Sequence, residues 1–241
     1  TFMAHYLRLP SSATVMEVLG NGCTGGLALE HAIRDVESGR ARAALALGVN
    51  FETATPSAEH MNSSMRATGD VDFQVPFGLT PISWYAMDAT RYMHEFDVTR
   101  ETLASVAVKN RFHASLNPLA QYRQPITLPD VLAQRPIVEP LGLYEVSPRG
   151  DGAACVVVAS EDVAKATGRP YVRVRGRGFH HEGAHQISEV PNDMIALGAL
   201  QAASCTAYQT AGIAPGDLDF AEIYAPCTIV EVLAGEAMGL T

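Results

Sequence analysis

The chain has 241 residues, enough to bury a sizeable core in one large domain or two smaller ones. Hydrophobic residues make up 47% and charged residues 18%, the balance of a soluble globular protein, and the net charge is −9 with a pI near 5.3. That acidity argues against a broad nucleic-acid or anionic-membrane surface, though not against a local basic pocket for a bound phosphate. No apolar run approaches the roughly 20 residues of a spanning helix, and Thr1-Phe2-Met3-Ala4-His5-Tyr6 lacks a signal-peptide pattern.

Residues 14–19 read as a short strand, followed by a glycine turn and a helix over 24–38. Leu29, Ile33 and Val36 give that helix an apolar stripe at helical spacing, and Gly39 is placed to end it. Residues 43–49 form a continuous apolar run of the buried-strand type. Strand, helix and strand in such a short span make a βαβ unit, so a parallel sheet is expected. From 50 to 150 the sequence turns polar, Pro- and Met-rich and mostly helical, with the clearest helices over 80–96 and 99–115. In the second, Thr99 is the expected N-cap, Glu101 stands in the first turn, and Leu103, Val106, Ala107 and Asn110 share a face. Asn117-Pro118 breaks it. Residues 151–160 return to a buried strand, and 171–174, 193–211, 218–223 and 229–238 read as strand, helix, strand, helix. The expected division is a sheet-bearing first half (1–49 and 151–167), a helical insertion closing over it (50–150), and a second half (168–241).

Cys23, Cys155, Cys205 and Cys227 show no C-x-x-C spacing and no metal-ligand pattern. Cys155 is expected to be a small core residue, and a reducing, cytoplasmic compartment fits the set. His180, His181 and His185 surround Glu182 and Gly183 without helical ligand spacing or a cysteine partner, so a solvated loop is the default and no metal is expected. His113 ends its helix, where an imidazole meets the dipole favourably. Trp84, Tyr85, Met87, Tyr92 and Met93 read first as helix packing, and otherwise as the lining of an apolar ligand pocket.

Two motifs carry chemistry. The first is Asn21-Gly22-Cys23-Thr24-Gly25-Gly26-Leu27-Ala28-Leu29, joining a strand to a helix. Gly20, Gly22 and Gly25 match G-x-G-x-x-G, the dinucleotide-binding turn, but Gly48-Val49-Asn50 lacks the acidic residue that should follow, and Glu52 comes late. Under either reading the loop offers backbone N–H groups to an anionic oxygen. The second is Ala221-Glu222-Ile223-Tyr224-Ala225-Pro226-Cys227-Thr228-Ile229-Val230-Glu231, which follows a strand and opens a helix. Tyr224 on its own would read as a buried, hydrogen-bonded core tyrosine.

Together these segments resemble the thiolase superfamily. The first is similar to the nucleophile loop, in which Cys-x-Ser/Thr-Gly opens the helix; counting back from Thr24-Gly25, the nucleophile's position holds Gly22, and Cys23 is one place late. A helix turns side chains by about 100° per residue, so Cys23 is not aimed where that nucleophile would be. The second is similar to the His-Asp-Cys-Phe-Ser/Thr segment of sterol-carrier-protein-x-type thiolases; with Glu231 on that segment's helical Glu, Tyr224 takes the histidine position. Val108-Lys109-Asn110-Arg111, Leu116-Asn117-Pro118-Leu119-Ala120-Gln121, Pro140-Leu141-Gly142-Leu143 and Ser147-Pro148-Arg149-Gly150-Asp151-Gly152-Ala153-Ala154 extend the likeness from about residue 13 to the end. The pair Gly22 and Tyr224 resembles the lipid-transfer-protein-type aldolases, which cleave steroid side chains without the cysteine. Ala225-Pro226-Cys227 and Glu145-Val146 depart from the family pattern.

The resemblance implies an α/β, thiolase-like layered αβαβα fold, incomplete in this chain, with a helical loop-domain insertion. The family's opening strand–helix–strand and its closing glycine-rich segment have no counterpart, so the chain is expected to be part of a longer polypeptide. It implies retro-aldol cleavage of a branched, steroid-type β-hydroxyacyl-CoA by a lyase needing no cofactor beyond its acyl-CoA substrate. Tyr224 is the implied base or proton relay, a role requiring tuning or a neighbour because tyrosine in water ionises near pH 10. Gly22, Cys23, Gly25 and His113 are the implied substrate-binding residues. A homodimer pairing near residues 14–19 and an OB-fold, zinc-ribbon-type acyl-CoA-binding partner are also implied, with no nucleic acid or membrane partner. Three alternatives stay open: a silent acyl-CoA-binding scaffold, thiolysis through Cys23 or Cys227, and a dinucleotide-dependent oxidoreductase.

Overall fold

The computed structural model describes residues 2–60, 63, 72, 74–181 and 193–241. In chain order the elements are α1 (Phe2–Tyr6), α2 (Thr24–Glu37), β1 (Ala43–Phe51), α3 (Pro81–Phe96), α4 (Arg100–Leu116), α5 (Leu128–Leu132), β2 (Pro136–Val138), β3 (Leu141–Gly142), β4 (Asp151–Ala159), α6 (Glu161–Ala166), α7 (Gly198–Ala211) and α8 (Thr228–Ala237). They fall into two compact units, Thr1–Thr55 with Gly150–Tyr171 and Pro56–Arg149 with Val172–Thr241.

In the first unit, α2 carries its apolar stripe as its spacing requires, burying Ala32 and Ile33. Gly39 follows in the left-handed region (φ 73°), which ends the helix without a Cβ penalty. The parallel βαβ expectation is corrected. β1 pairs antiparallel with β4 along its whole length, from Ala43 opposite Ala159 to Phe51 opposite Asp151. Residues 14–19 make no ladder among the described residues, so the strand before α2 is not the partner of the strand after it. Asp151 locks the end of the ladder by accepting from the Thr53 N–H (2.9 Å) and hydroxyl. Cys155 is exposed, not core, because the ladder has only two strands among the described residues and its apolar run is not enclosed.

In the second unit, α3 starts where sequence places it. Thr80 accepts the Ser83 N–H at 3.4 Å, and Pro81 fills the first helical position, where its missing N–H has no intrahelical role. Thr99 is the N-cap residue of α4, but its hydroxyl holds the Glu101 carboxylate, lowering that group's pKa. The buried stripe of α4 is Leu103, Ala104 and Ala107, so Val106 and Asn110 lie off it. The helix predicted over 193–211 begins at Gly198, after Leu197 in the left-handed region. The core joins Ala86, Ala89 and Tyr92 of α3 to Leu103, Leu141, Cys227, Ile229 and Leu233. Tyr92 and Met93 thus serve packing, and the Tyr92 hydroxyl bonds Glu236 on α8.

Residues 171–174 and 218–223 join no ladder among the described residues, correcting both strand expectations. Past residue 174 the chain runs against α7. A Cβ on Gly176 or Gly178 would enter the carbonyl oxygens of Ala207 and Ala203, and Arg175 donates to the Ala211 carbonyl at 3.0 Å. Glycines two apart put two bare edges on one face of an extended chain, which lets it approach the helix backbone. No helix among the described residues is long and apolar enough to cross a membrane.

Gly178→Ala is expected to destabilise the protein by about 1–3 kcal/mol through overpacking. Gly48→Ala in β1, whose added Cβ meets nothing within 4 Å, is the matched control. Urea unfolding of the two variants checks the contrast.

Candidate active site

In the first unit, Asn21–Cys23 forms a tight 3-10 turn that runs directly into α2. Asn21 takes a left-handed conformation (φ 48°), and Thr24 braces the turn, its hydroxyl accepting from the Gly20 N–H (3.0 Å) and donating to the Asn21 carbonyl (2.7 Å). A Cβ on Gly20 would meet the tip of the Leu27 side chain, which would have to turn aside. Gly22, Cys23 and Gly25 are all exposed, and Cys23 caps α2. The Cys23 and Thr24 amides bond the Gly20 and Asn21 carbonyls, so two of the donors in the turn are already engaged. Glu52, the late acidic candidate of the dinucleotide reading, accepts from the Asn50 amide at 2.9 Å.

In the second unit, Tyr224 stands where extended chain leads into α8 and is 67% exposed, so it is not a core tyrosine. Glu231, in the first turn of α8, is nearly enclosed by α4. It pairs with the Lys109 ammonium and accepts from Asn110 Nδ2 at 2.6 Å. The turn preceding α8 is held from the other side, since Val146 bridges Cys227 antiparallel and the Ser147 N–H donates to the Pro226 carbonyl at 2.8 Å. That register sets Glu145 against Thr228.

Glu145 has a fully buried side chain. Its Oε2 accepts from Arg100, from Gln134 Nε2 (3.1 Å) and from the Gly142 N–H (2.9 Å), while Oε1 has no partner. Beside it opens a cavity of about 510 Å³, walled by α4, by residues 120–122 and 143–148, and by Ala225–Thr228. Arg111 reaches this cavity with its guanidinium over two rings, 4.7 Å from the centre of Tyr122 and 5.5 Å from that of Tyr144.

Of the residues singled out from sequence, Tyr224 adjoins this cavity through Ala225, whereas His113 does not line it. His113 is exposed in the last turn of α4, tilted against Phe112 at 5.6 Å. His180 and His181 are exposed in extended chain, and His185 lies outside the described residues. Trp84, Tyr85, Met87, Tyr92 and Met93 do not line the cavity either. Sequence reasoning missed the roles of Glu231, Lys109, Asn110, Arg111 and Glu145. Their only signal was that they fell in family-like blocks or in a departure from one.

Cys227 is 2% exposed, and burial, reinforced by the Glu145 and Asp88 carboxylates, pushes its thiol up to about 12. It is a neutral core thiol and a poor nucleophile near pH 7.

The family described as "Thiolase, N-terminal domain" matches residues 2–162, and "Thiolase C-terminal domain-like" matches residues 180–241. Benzoylsuccinyl-CoA thiolase subunit BbsB of Thauera aromatica is 34% identical over 218 residues, 90% of this chain and 54% of that protein. A steroid side-chain-cleaving aldolase of Thermomonospora curvata is 36% identical over 154 residues, 62% of this chain and 39% of that protein. The solved structure of an "Ltp2-ChsH2(DUF35) aldolase" superposes with a TM-score of 0.79 at 30% identity, covering 91% of this chain and 57% of that one. A monomeric SCP2-thiolase-like protein of Mycobacterium smegmatis shares the fold at 18% identity, with a TM-score of 0.69 over 90% of this chain and 46% of that one. The chain spans about half the length of the curated relatives it matches across most of its own length.

Native alkylation with iodoacetamide at pH 8 is expected to label the exposed Cys23, Cys155 and Cys205 and to spare Cys227, as peptide mass mapping will show. Tyr92 is also raised to about 12, by burial and then by Glu236. Between pH 9 and 12 the folded state therefore keeps protons that the unfolded chain loses. Stability is complete below about pH 9 and falls as pH rises through that window, which unfolding midpoints across the range will report.

Proposed function

Because the chain belongs to the thiolase superfamily, with an α/β thiolase-like fold, we propose that its protein is a carbon–carbon lyase rather than a thiolase. The proposed reaction is retro-aldol cleavage of a branched, steroid-type β-hydroxyacyl-CoA. The β-hydroxyl loses its proton and becomes the ketone carbonyl. The Cα–Cβ bond breaks with its electron pair moving to Cα, and the resulting thioester enolate takes a proton to become the shortened acyl-CoA. No covalent acyl-enzyme forms, so the reaction has no use for a cysteine nucleophile.

The observation that carries this reading is Gly22. It stands exposed in the tight turn that opens α2, at the position where the family's nucleophile is counted, and it carries no thiol. Cys227 is held as a neutral thiol, which weighs against thiolysis there. The likeness to a steroid side-chain-cleaving aldolase, and to the solved Ltp2-ChsH2(DUF35) aldolase, supports the same direction. The thiolase and acetyl-CoA acetyltransferase relatives, at 34% and 33% identity, support the superfamily and acyl-CoA chemistry without choosing between the two reactions.

Tyr224 is proposed to accept the hydroxyl proton or relay it, its exposed position before α8 leaving the phenol reachable. Of the amides around Gly22–Gly25, those other than Cys23 and Thr24, which already bond within the turn, are proposed to hold the thioester oxygen, as preorganised donors do for a developing oxyanion. Gly22, with no side chain, leaves room for a substituent at the branched carbon. No cofactor beyond the acyl-CoA substrate is proposed. A homodimer and a DUF35-type, OB-fold acyl-CoA-binding partner belong to the same proposal, the latter supported by the DUF35 component of the superposed aldolase.

Mass-spectrometric product analysis of the intact protein, with any co-purifying partner and a steroid-type β-hydroxyacyl-CoA, tests the reading. A ketone plus a shortened acyl-CoA is expected, and Tyr224→Phe should slow their appearance by about 10²-fold or more while the fold is kept. Acyl-CoA binding without turnover would instead mark a silent scaffold, and an acyl adduct on cysteine would mark thiolysis.

A further inference from the structure

Beyond the retro-aldol reading, we infer that the cavity between α4 and the start of α8 is a binding site for an apolar ligand carrying an anionic oxygen group, a carboxylate or a phosphate, with Arg111 as its charged anchor. The inference starts from charge pairing. Lys109 is matched by Glu231, and Arg100 by Glu145. Arg111, half-buried on the cavity wall, has no carboxylate or hydrogen-bond acceptor among the described residues; its guanidinium meets the two tyrosine rings instead. A guanidinium withdrawn from water on one side without an anion is held at a cost that a ligand anion would relieve.

The rings also hold the guanidinium in place. Contact with Tyr122 and Tyr144 restrains it without using its N–H donors, so less freedom is lost when an oxyanion docks. Tyr144 is itself anchored, its backbone N–H donating to the Gln134 side chain. A second element favours an anion here. The N-terminus of the ten-residue helix α8 lines the same cavity through Cys227 and Thr228, and Thr228 Oγ1 is a buried hydroxyl with no partner. One wall residue opposes an anion, Glu145, but its charge is already compensated by Arg100; Asp88, the other acid acting on Cys227, does not line the cavity. Asn110, Gln121 and Ser147 add polar groups to the wall; most of the rest of it, including Ala107, Ala114, Leu143, Val146 and Pro226, is apolar, and about 510 Å³ lies within the range of small-molecule sites.

Titration calorimetry on the intact protein tests the site with three probes, cyclohexanecarboxylate, adenosine 3′,5′-bisphosphate and the neutral cyclohexanol. One of the two anions is expected to bind at least tenfold more tightly than cyclohexanol, with affinity falling as salt rises. Arg111→Gln should remove that preference, and Arg111→Lys should restore only part of it because an ammonium cannot stack as the guanidinium does. Preference for the carboxylate identifies the acyl part of a ligand as the source of the anion; preference for the bisphosphate identifies a nucleotide phosphate. If Arg111→Gln fails to fold, Tyr144→Leu carries the test, with a severalfold weaker affinity expected. Absence of binding by both anions, or unchanged affinity in the variants, overturns the inference. Binding is read without turnover, so a protein inactive in carbon–carbon cleavage can still pass, and an active one can still fail.

Discussion

Glu145 is the constraint on which the second unit depends. Its buried carboxylate gathers Arg100 from the start of α4, Gln134 from the turn after α5, and the Gly142 N–H from β3. Gln134 then passes the constraint on, accepting the Tyr144 N–H, and Tyr144 offers its ring to Arg111. Gly142 has to be glycine here, since a Cβ would strike the Gln134 side chain. The neighbouring Val146 bridges Cys227, the residue that caps α8. Removing Arg100 from its pair with Glu145 strands a buried charge, at about 3–5 kcal/mol. One side chain thus ties the start of α4, the turn after α5 and β3 together, while Glu231 holds α8 to α4 through Lys109 and Asn110.

That side chain is also the clearest limit of sequence reading. Glu145-Val146 was visible as a departure from a family pattern, yet nothing local reveals that the carboxylate meets residues 100, 134 and 142. The same holds for Arg111, whose rings come from positions 122 and 144. By contrast, α2, α3, α4 and α8 were legible because their signals are local, such as apolar residues at helical spacing in α2, Thr99 before α4 and Gly39 after α2. Strand partnering was not. The run from 43 to 49 announces a strand, but its mate lies a hundred residues on and runs antiparallel, a choice that no windowed pattern contains. Segments 171–174 and 218–223 have strand-like composition without a ladder among the described residues, because a strand needs a second chain segment as well as suitable residues. Cys155 failed as a core residue for that reason too.

The two candidate chemical motifs fared differently. The Gly22 turn kept the expected strand-to-helix context only in part, since the segment before it stays unpaired among the described residues and β1 finds another mate. What held was the local geometry, a tight turn braced by Thr24 with no thiol at position 22. For Tyr224, sequence pointed to the residue, and structure supplied its exposure and the Lys109–Asn110–Glu231 tie that fixes the helix behind it. Cys227, three residues on, is a reminder that a cysteine inside a catalytic-looking motif can be packing, its thiol sealed by burial and neighbouring carboxylates.

The clasp between β1 and β4 has a consequence for how such a chain can change over generations. Phe51 and Asp151 are register partners, so the stretch between them leaves and returns at points one ladder-width apart. Bringing those ends together costs on the order of 4 kcal/mol of chain entropy, and that cost grows only logarithmically with the length enclosed. Insertions in the loops of the excursion therefore barely strain the clasp. Its helices are less free: α3 and α4 share a core with α8, and Lys109 and Asn110 hold Glu231, so a change there has to be matched in a segment that lies beyond β4 in the chain.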